Sequence, residues 1–125
     1  MKKKILFVCV HNSCRSQMAE AIGNHLRGGE FAFYSAGTSI KSAINKDAVR
    51  LIKKYYGIDM EKKQFPKTID QVPMPDLVIS MGCDAGCPYI GRDFDDNWHL
   101  PDPTGKGDAA FIQVMQAIEK KFSVF

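Results

Sequence analysis

Cys9 and Arg15 stand with five residues between them, in the run Cys9-Val10-His11-Asn12-Ser13-Cys14-Arg15-Ser16. A cysteine reacts as its thiolate, and an electropositive loop or helix start favours that form. Backbone N–H groups at a tight loop and at a helix N-terminus converge on one point and favour an anion there. Arg15 can add a planar, two-pronged grip on a tetrahedral oxyanion. The loop from Val10 to Ser16 therefore offers a nucleophile, Cys9, beside an oxyanion cradle. Ser16 can cap the helix or hydrogen-bond the Cys9 sulfur. The spacing alone is a weak signal, and a buried strand-end cysteine is the plain alternative.

Two further groups could join this chemistry. Met81-Gly82-Cys83-Asp84-Ala85-Gly86-Cys87-Pro88 holds a second pair of thiols with three residues between them. A closed zinc site needs four ligands. Cys9 and Cys14 lie in the anion loop and His99 has no partner spacing, so no metal ligand is assigned. The pair reads as a thiol relay that resolves a Cys9 adduct, or as two unlinked surface thiols. Pro101-Asp102-Pro103 fixes a carboxyl group between two rigid residues. Such an acid near an oxyanion can protonate a leaving oxygen, although a turn aspartate is the alternative. Asp93, Asp95 and Asp96 read as a solvated acidic loop.

The elements that must position these groups alternate along the chain. Ile5-Leu6-Phe7-Val8 reads as a buried strand ahead of the cysteine loop. A helix is expected from Ser16 to Leu26, with Met18, Ala19, Ile22 and Leu26 on its inner face, broken at Gly28-Gly29. Phe31 to Ala36 reads as a second strand. A second helix runs from Asn45 or Lys46 to Tyr56, facing inward with Ala48, Leu51, Ile52 and Tyr55 and ending at Gly57. The stretch from Gln64 to Pro75 is irregular, with a short helix from Thr68. Leu77 to Met81 is a third strand, and Trp98-His99-Leu100 a short fourth. Ala110, Phe111, Val114, Met115, Ile118 and Phe122 mark an amphipathic helix from Gly107 to Phe122.

This order predicts an α/β fold over residues 1–125 as a single domain, with a four-stranded parallel sheet and helices on both faces. Functional loops of such sheets lie at the C-terminal strand ends. Cys9, the Cys83–Cys87 segment and Asp102 then all fall at one end.

Composition narrows the class. The chain has 125 residues, 45% hydrophobic and 25% charged, as a soluble globular domain does. No apolar run is long enough to span a membrane, and the stretch after Lys2-Lys3-Lys4 is too short for a signal peptide. A net charge of +3 is too small to argue for nucleic acid. The reading is a cytoplasmic protein, where cysteines serve catalysis, redox or metal binding more than a disulfide framework.

Phe7-Val8-Cys9-Val10-His11-Asn12-Ser13-Cys14-Arg15-Ser16-Gln17-Met18-Ala19-Glu20-Ala21 closely resembles the thioredoxin-coupled arsenate reductases built on the low-molecular-weight protein tyrosine phosphatase fold. Tyr34-Ser35-Ala36-Gly37, Val78-Ile79-Ser80-Met81-Gly82-Cys83 with Cys87-Pro88, and Asp102-Pro103-Thr104-Gly105-Lys106 are similar to the later segments of that family, in the same order. The Ser-Gln-Met-Ala-Glu ending of the first block points to the reductases. The resemblance implies that Cys9 attacks arsenate, that Val10, His11, Asn12, Ser13, Cys14, Arg15 and Ser16 hold the oxyanion, and that Asp102 protonates the departing oxygen. Cys83 or Cys87 then attacks Cys9, and the remaining thiol takes over the disulfide. It implies no bound cofactor, a thiol reductant such as thioredoxin or a similar small redox protein, phosphate or sulfate as arsenate mimics, and a monomer without nucleic-acid or membrane partners.

The sequence departs from the better-known members in three places. Their relay cysteines are further apart, and the first stands where this chain has Gly82. Some members bind potassium near residues that match Asn12, Glu20 and Ser35, but the carboxylate they also use falls here near Pro66. Cys14 has no assigned step, although in phosphatase relatives its counterpart can pair with the nucleophile under oxidation. The competing enzyme is a phosphatase for phosphotyrosine or small phosphate esters, using the same Cys9, Arg15 and Asp102. It would leave Cys83 and Cys87 idle, and no aromatic follows Asp102 before Phe111 to grip a tyrosyl ring. A non-catalytic arsenite or metal sensor would need neither Asp102 nor the anion cradle.

Overall fold

The computed structural model describes residues 2–82 and 93–125. Strand β1 (Lys3–Cys9) leads into helix α1 (Arg15–Arg27), and β2 (Phe31–Gly37) into α2 (Lys46–Tyr56). A one-turn helix α3 (Met60–Lys63) and a 3-10 turn (Ile69–Gln71) precede β3 (Leu77–Ser80), β4 (Asp96–Asn97) and the last helix α4 (Asp108–Ser123). All strand pairs are parallel, in the order β2-β1-β3-β4. The expected four-stranded parallel α/β sheet is therefore present.

β1 lies inside the sheet, and Ile5, Leu6, Phe7 and Val8 are all buried. Its alternate side chains enter two cores, as expected of a strand covered on both faces. Ile5, Phe7 and Cys9 face the main core with Met18 and Ile22 of α1, Leu51 of α2 and Phe111 and Phe122 of α4. Leu6 and Val8 face a smaller core with Val78, capped by Ile69 and Val72 beside the 3-10 turn and by Phe94. Helical elements thus cover both faces, but unequally. The Phe7 ring anchors the sheet, 5.0 Å from Trp98, 5.8 Å from Phe33 and edge-on to Phe122 at 5.9 Å.

Local chemistry sets the helix ends. Asn45 Oδ1 accepts from the N–H groups of Asp47 and Ala48 at 2.9 and 3.1 Å and starts α2. Gly57, in the left-handed region at φ +70°, ends it with its N–H on Lys53 O. The expected inner positions Leu26 and Tyr55 are instead exposed, at 45% and 52%. Tyr56 turns inward in place of Tyr55 and meets the His25 ring edge-on at 5.8 Å.

The fourth strand differs from its expected place. Pairing with β3 starts at Asp96–Asn97, two residues before Trp98. Beyond it the contact shrinks to single bonds, Trp98 N to Ser80 O and Leu100 N to Met81 O, because His99 turns to φ +50°. The acidic stretch is also more than solvated surface. Asp95 Oδ2 accepts the Val78 N–H at 2.7 Å and Asp96 Oδ1 the Asn97 N–H at 2.7 Å. Among the described residues no helix is long and apolar enough to cross a membrane.

Candidate active site

The loop after β1 turns its carbonyls outward. Val10 O accepts from Thr38 and Ser39, His11 O from Lys41, Ser13 O from Asn45 and Cys14 O from Met18. Asn12 O accepts from the Gln17 amide. With these five oxygens bound on the outside, the N–H groups from His11 to Arg15 have no protein acceptor among the described residues. Cys14 stands at the N-cap without a side-chain cap bond, so the first amides of α1 are likewise left open. An anion fits both sets of donors. Gly37 allows the close packing behind the loop, since a Cβ there would lie 2.7 Å from Val10 O and 2.9 Å from Asn12 Cβ.

A buried relay of side chains holds the Cys9 sulfur. Cys9 Sγ lies 2.8 Å from Ser16 Oγ, which accepts from Asn12 Nδ2 at 2.8 Å. Asn12 reaches this position from φ +49°, a left-handed backbone that asparagine tolerates. Its Oδ1 accepts from Gln17 Nε2 and from the Lys67 N–H, at 2.9 and 3.0 Å. Gln64 donates to Gln17 Oε1 at 2.7 Å and to Gln17 O at 3.0 Å. Ser16 therefore serves the sulfur and does not cap the helix.

Cys9, Cys14, Arg15 and Asp102 come together around a cavity of about 130 Å³, lined also by Lys41 and Thr104. Arg15 Nη1 donates to Leu100 O at 2.8 Å and to Met81 O at 3.2 Å, so the guanidinium is anchored to the exits of β3 and β4. Desolvation opposes the Asp102 charge, but the Thr104 hydroxyl and N–H at 2.7 and 3.1 Å, with Arg15 and Lys106 nearby, hold its carboxyl below the usual range. Asp102 can give a proton only after an anion beside it raises its proton affinity. Burial, with Asp102 and Cys9 close by, pushes the Cys14 thiol up to about 12. Cys14 therefore stays a thiol at neutral pH.

Behind the loop lies a buried ion pair. Lys67 Nζ is 3.3 Å from Glu20 Oε1 and 3.3 Å from Phe65 O, and Ser35 Oγ donates to Glu20 Oε1 at 2.6 Å. Burial pushes the Glu20 carboxyl up, while Lys67 and Ser35 pull it back. Potassium does not fit beside Glu20 and Ser35, because the Lys67 ammonium already stands there. Among the described residues no buried side-chain nitrogen or oxygen lacks a partner that an ion could serve.

The structure thus brings together Cys9, the loop from Val10 to Ser16, and Asp102. Cys83 and Cys87 lie outside the described residues. Gly82 itself accounts for one departure from the family pattern. Its φ is +107°, and a Cβ would meet Leu100 N and O at 2.9 Å, so a cysteine does not fit at that position. Sequence reasoning missed Lys41, Gln17, Gln64 and Lys67. Lys41 and Lys67 sit in irregular segments without periodicity, so no sequence signal singled them out.

A strand, a cysteine loop with outward carbonyls and a helix opening on that loop place the chain in a phosphatase fold. It belongs to the low molecular weight phosphotyrosine protein phosphatase family, whose model matches residues 4–125. Among curated relatives, arsenate reductase 1 of Staphylococcus epidermidis is 32% identical over 128 residues, covering 99% of this chain and 96% of the relative. The crystal structure of arsenate reductase from Archaeoglobus fulgidus superposes with a TM-score of 0.79 at 30% identity, over 94% of each chain. A thioredoxin-dependent arsenate reductase from Corynebacterium glutamicum gives 0.71 at 28% identity, over 98% of this chain and 61% of the other.

Proposed function

We propose that this protein reduces arsenate to arsenite. The observation that carries the reading is the small cavity: about 130 Å³ among the described residues, with Cys9 and Arg15 in its wall and unpaired amides around it. That volume suits a tetrahedral inorganic oxyanion and falls below the roughly 300–1,000 Å³ typical of organic-ligand pockets. The kinship to arsenate reductases supports the same substrate.

The Cys9 thiolate forms a sulfur–arsenic bond, and an oxygen leaves arsenic as water with a proton delivered by Asp102. Arg15 and the loop amides hold the remaining oxygens. A thiolate from Cys83 or Cys87 attacks the Cys9 sulfur. The sulfur–arsenic bond breaks, its electron pair stays on arsenic, and arsenite departs as a disulfide forms. The remaining thiol of the pair takes over that disulfide and frees Cys9. A dithiol reductant such as thioredoxin reduces the Cys83–Cys87 bond and restarts the cycle.

The test follows NADPH consumption with arsenate, thioredoxin and thioredoxin reductase, beside p-nitrophenyl phosphate hydrolysis. Arsenate-dependent turnover that exceeds phosphate release is expected. Fast phosphate release without arsenate turnover would make the protein a phosphatase instead. Cys87→Ala is expected to stop after at most one turnover; continued cycling would remove the relay.

A further inference from the structure

We propose that Lys67 is a built-in cation that positions the nucleophile loop, so that the protein needs no monovalent metal ion. Three observations meet at this residue. Its ammonium is the positive charge beside Glu20, in a pair whose side chains are 9% and 10% exposed. Its own N–H holds Asn12 Oδ1 at 3.0 Å, and its carbonyl accepts the Gly37 N–H at 2.9 Å. The Asn12 amide so oriented donates to Ser16, and Ser16 touches the Cys9 sulfur. One residue therefore links charge behind the loop to hydrogen bonding at the thiol.

The physical argument concerns Glu20. A carboxylate buried without a partner is costly and takes a proton instead. Lys67 neutralises it from within the chain, and the Phe65 carbonyl and ring steady the ammonium, the ring centroid 5.4 Å away. The pairing fixes the segment from Phe65 to Thr68 against the loop. Lys67 is thus a positioning residue that acts through Asn12 and Ser16. A second, larger cavity of about 680 Å³ at the β2 edge is lined by Glu20, Gln64, Phe65 and Lys67 but by no cysteine. It gives outside cations a route to the pair once the lysine is shortened.

The inference rests on Cys9 as the reacting thiol but not on arsenate as the substrate. Its test therefore reads iodoacetamide alkylation of Cys9 and the thermal midpoint, at one pH and equal ionic strength. Potassium, sodium, methylammonium and tetramethylammonium chlorides are compared. The wild-type protein is expected to behave alike in all four. Lys67→Ala should alkylate more slowly in tetramethylammonium chloride, by about two- to thirtyfold, the range for coupling through a packed network. Potassium or methylammonium should restore part of the rate. Lys67→Met should also be slow, and adding Glu20→Gln should recover the rate, because no unpaired charge then remains. Potassium-specific stabilisation of the wild type would overturn the proposal. So would wild-type alkylation by the lysine variants in every salt. Should both single variants fail to fold, a folded double variant with slow alkylation would overturn it, and one with a wild-type rate would support it.

Discussion

Ser16→Ala isolates the support of the Cys9 thiolate. The Ser16 oxygen accepts from Asn12 at 2.8 Å and lies 2.8 Å from Cys9 Sγ, where its hydroxyl can donate to the thiolate. A hydrogen bond to a charged partner is worth about 1.5–3 kcal/mol. Ser16 is fully buried and Cys9 is only 4% exposed, so water is poorly placed to replace the lost donor. At about 1.4 kcal/mol per tenfold change, the rate of Cys9 alkylation should fall roughly ten- to a hundredfold. The orphaned Asn12 amide should also cost about 1–3 kcal/mol of stability. Alkylation of Cys9 by iodoacetamide across pH 5–9, with Cys14→Ala as background, reads the first number; urea denaturation reads the second. An alkylation rate within twofold of the parent over that whole pH range (about pH 5–9, spanning the ordinary thiol titration) would refute the relay from Asn12 to the sulfur.

Thr104→Val removes one of the two bonds that hold the Asp102 carboxyl low, so the alkaline limb of kcat, where the bound complex loses this acid's proton, should move to higher pH; an unmoved limb would deny Asp102 its acid role. The Asp102 contribution to stability is present above the unfolded aspartate value of about 3.9 and is lost as pH falls through its lower folded value, so the stability gap between the parent and Asp102→Asn should be constant above about pH 4 and narrow below it. With its pKa raised from 9.0 to about 12, Cys14 should remain unalkylated at pH 8 while Cys9 reacts, as peptide mass mapping would reveal. The same shift means that the folded thiol keeps a proton which the unfolded one loses, so the Cys14 contribution to stability should decline as pH rises above 9.0. Gly82→Ala forces a Cβ against the Leu100 backbone at a left-handed position, and urea denaturation should register a loss of about 1–3 kcal/mol.

The alternation of strands and helices was legible because each element carries its own pattern. β1 is a continuous apolar run, α2 has an amphipathic face with Asn45 and Gly57 at its ends, and α4 repeats apolar residues at helical spacing. β4 was misplaced because Trp98 and Leu100 are buried by the core and not by strand pairing, and burial alone looks the same in sequence. Cys9, Arg15 and Asp102 were legible because their roles depend on residue type at a strand end. The relay behind them was not. Gln17 and Lys67 meet Asn12 across 5 and 55 positions of sequence, Gln64 meets Gln17 across 47, and no local pattern encodes such meetings.

That hidden relay answers a physical difficulty of the exposed chemistry. A loop that leaves consecutive N–H groups without protein acceptors forgoes hydrogen bonds that a folded chain normally makes. It holds its shape in the empty state only if everything else about it is fixed from outside. Five carbonyls bound by neighbouring segments, and an asparagine locked at φ +49° by Gln17 and Lys67, supply that constraint. The donors are then already arranged when an oxyanion arrives, and little reorganisation is left to oppose its binding or the charge that develops on it. On this argument the residues behind the loop should affect kcat and Cys9 reactivity more than arsenate KM. Gln64→Leu, which removes both bonds to Gln17 without touching the cavity, is the variant that tests it. A raised KM with unchanged kcat and alkylation would mean that the network only shapes the binding site and does not prepare the nucleophile.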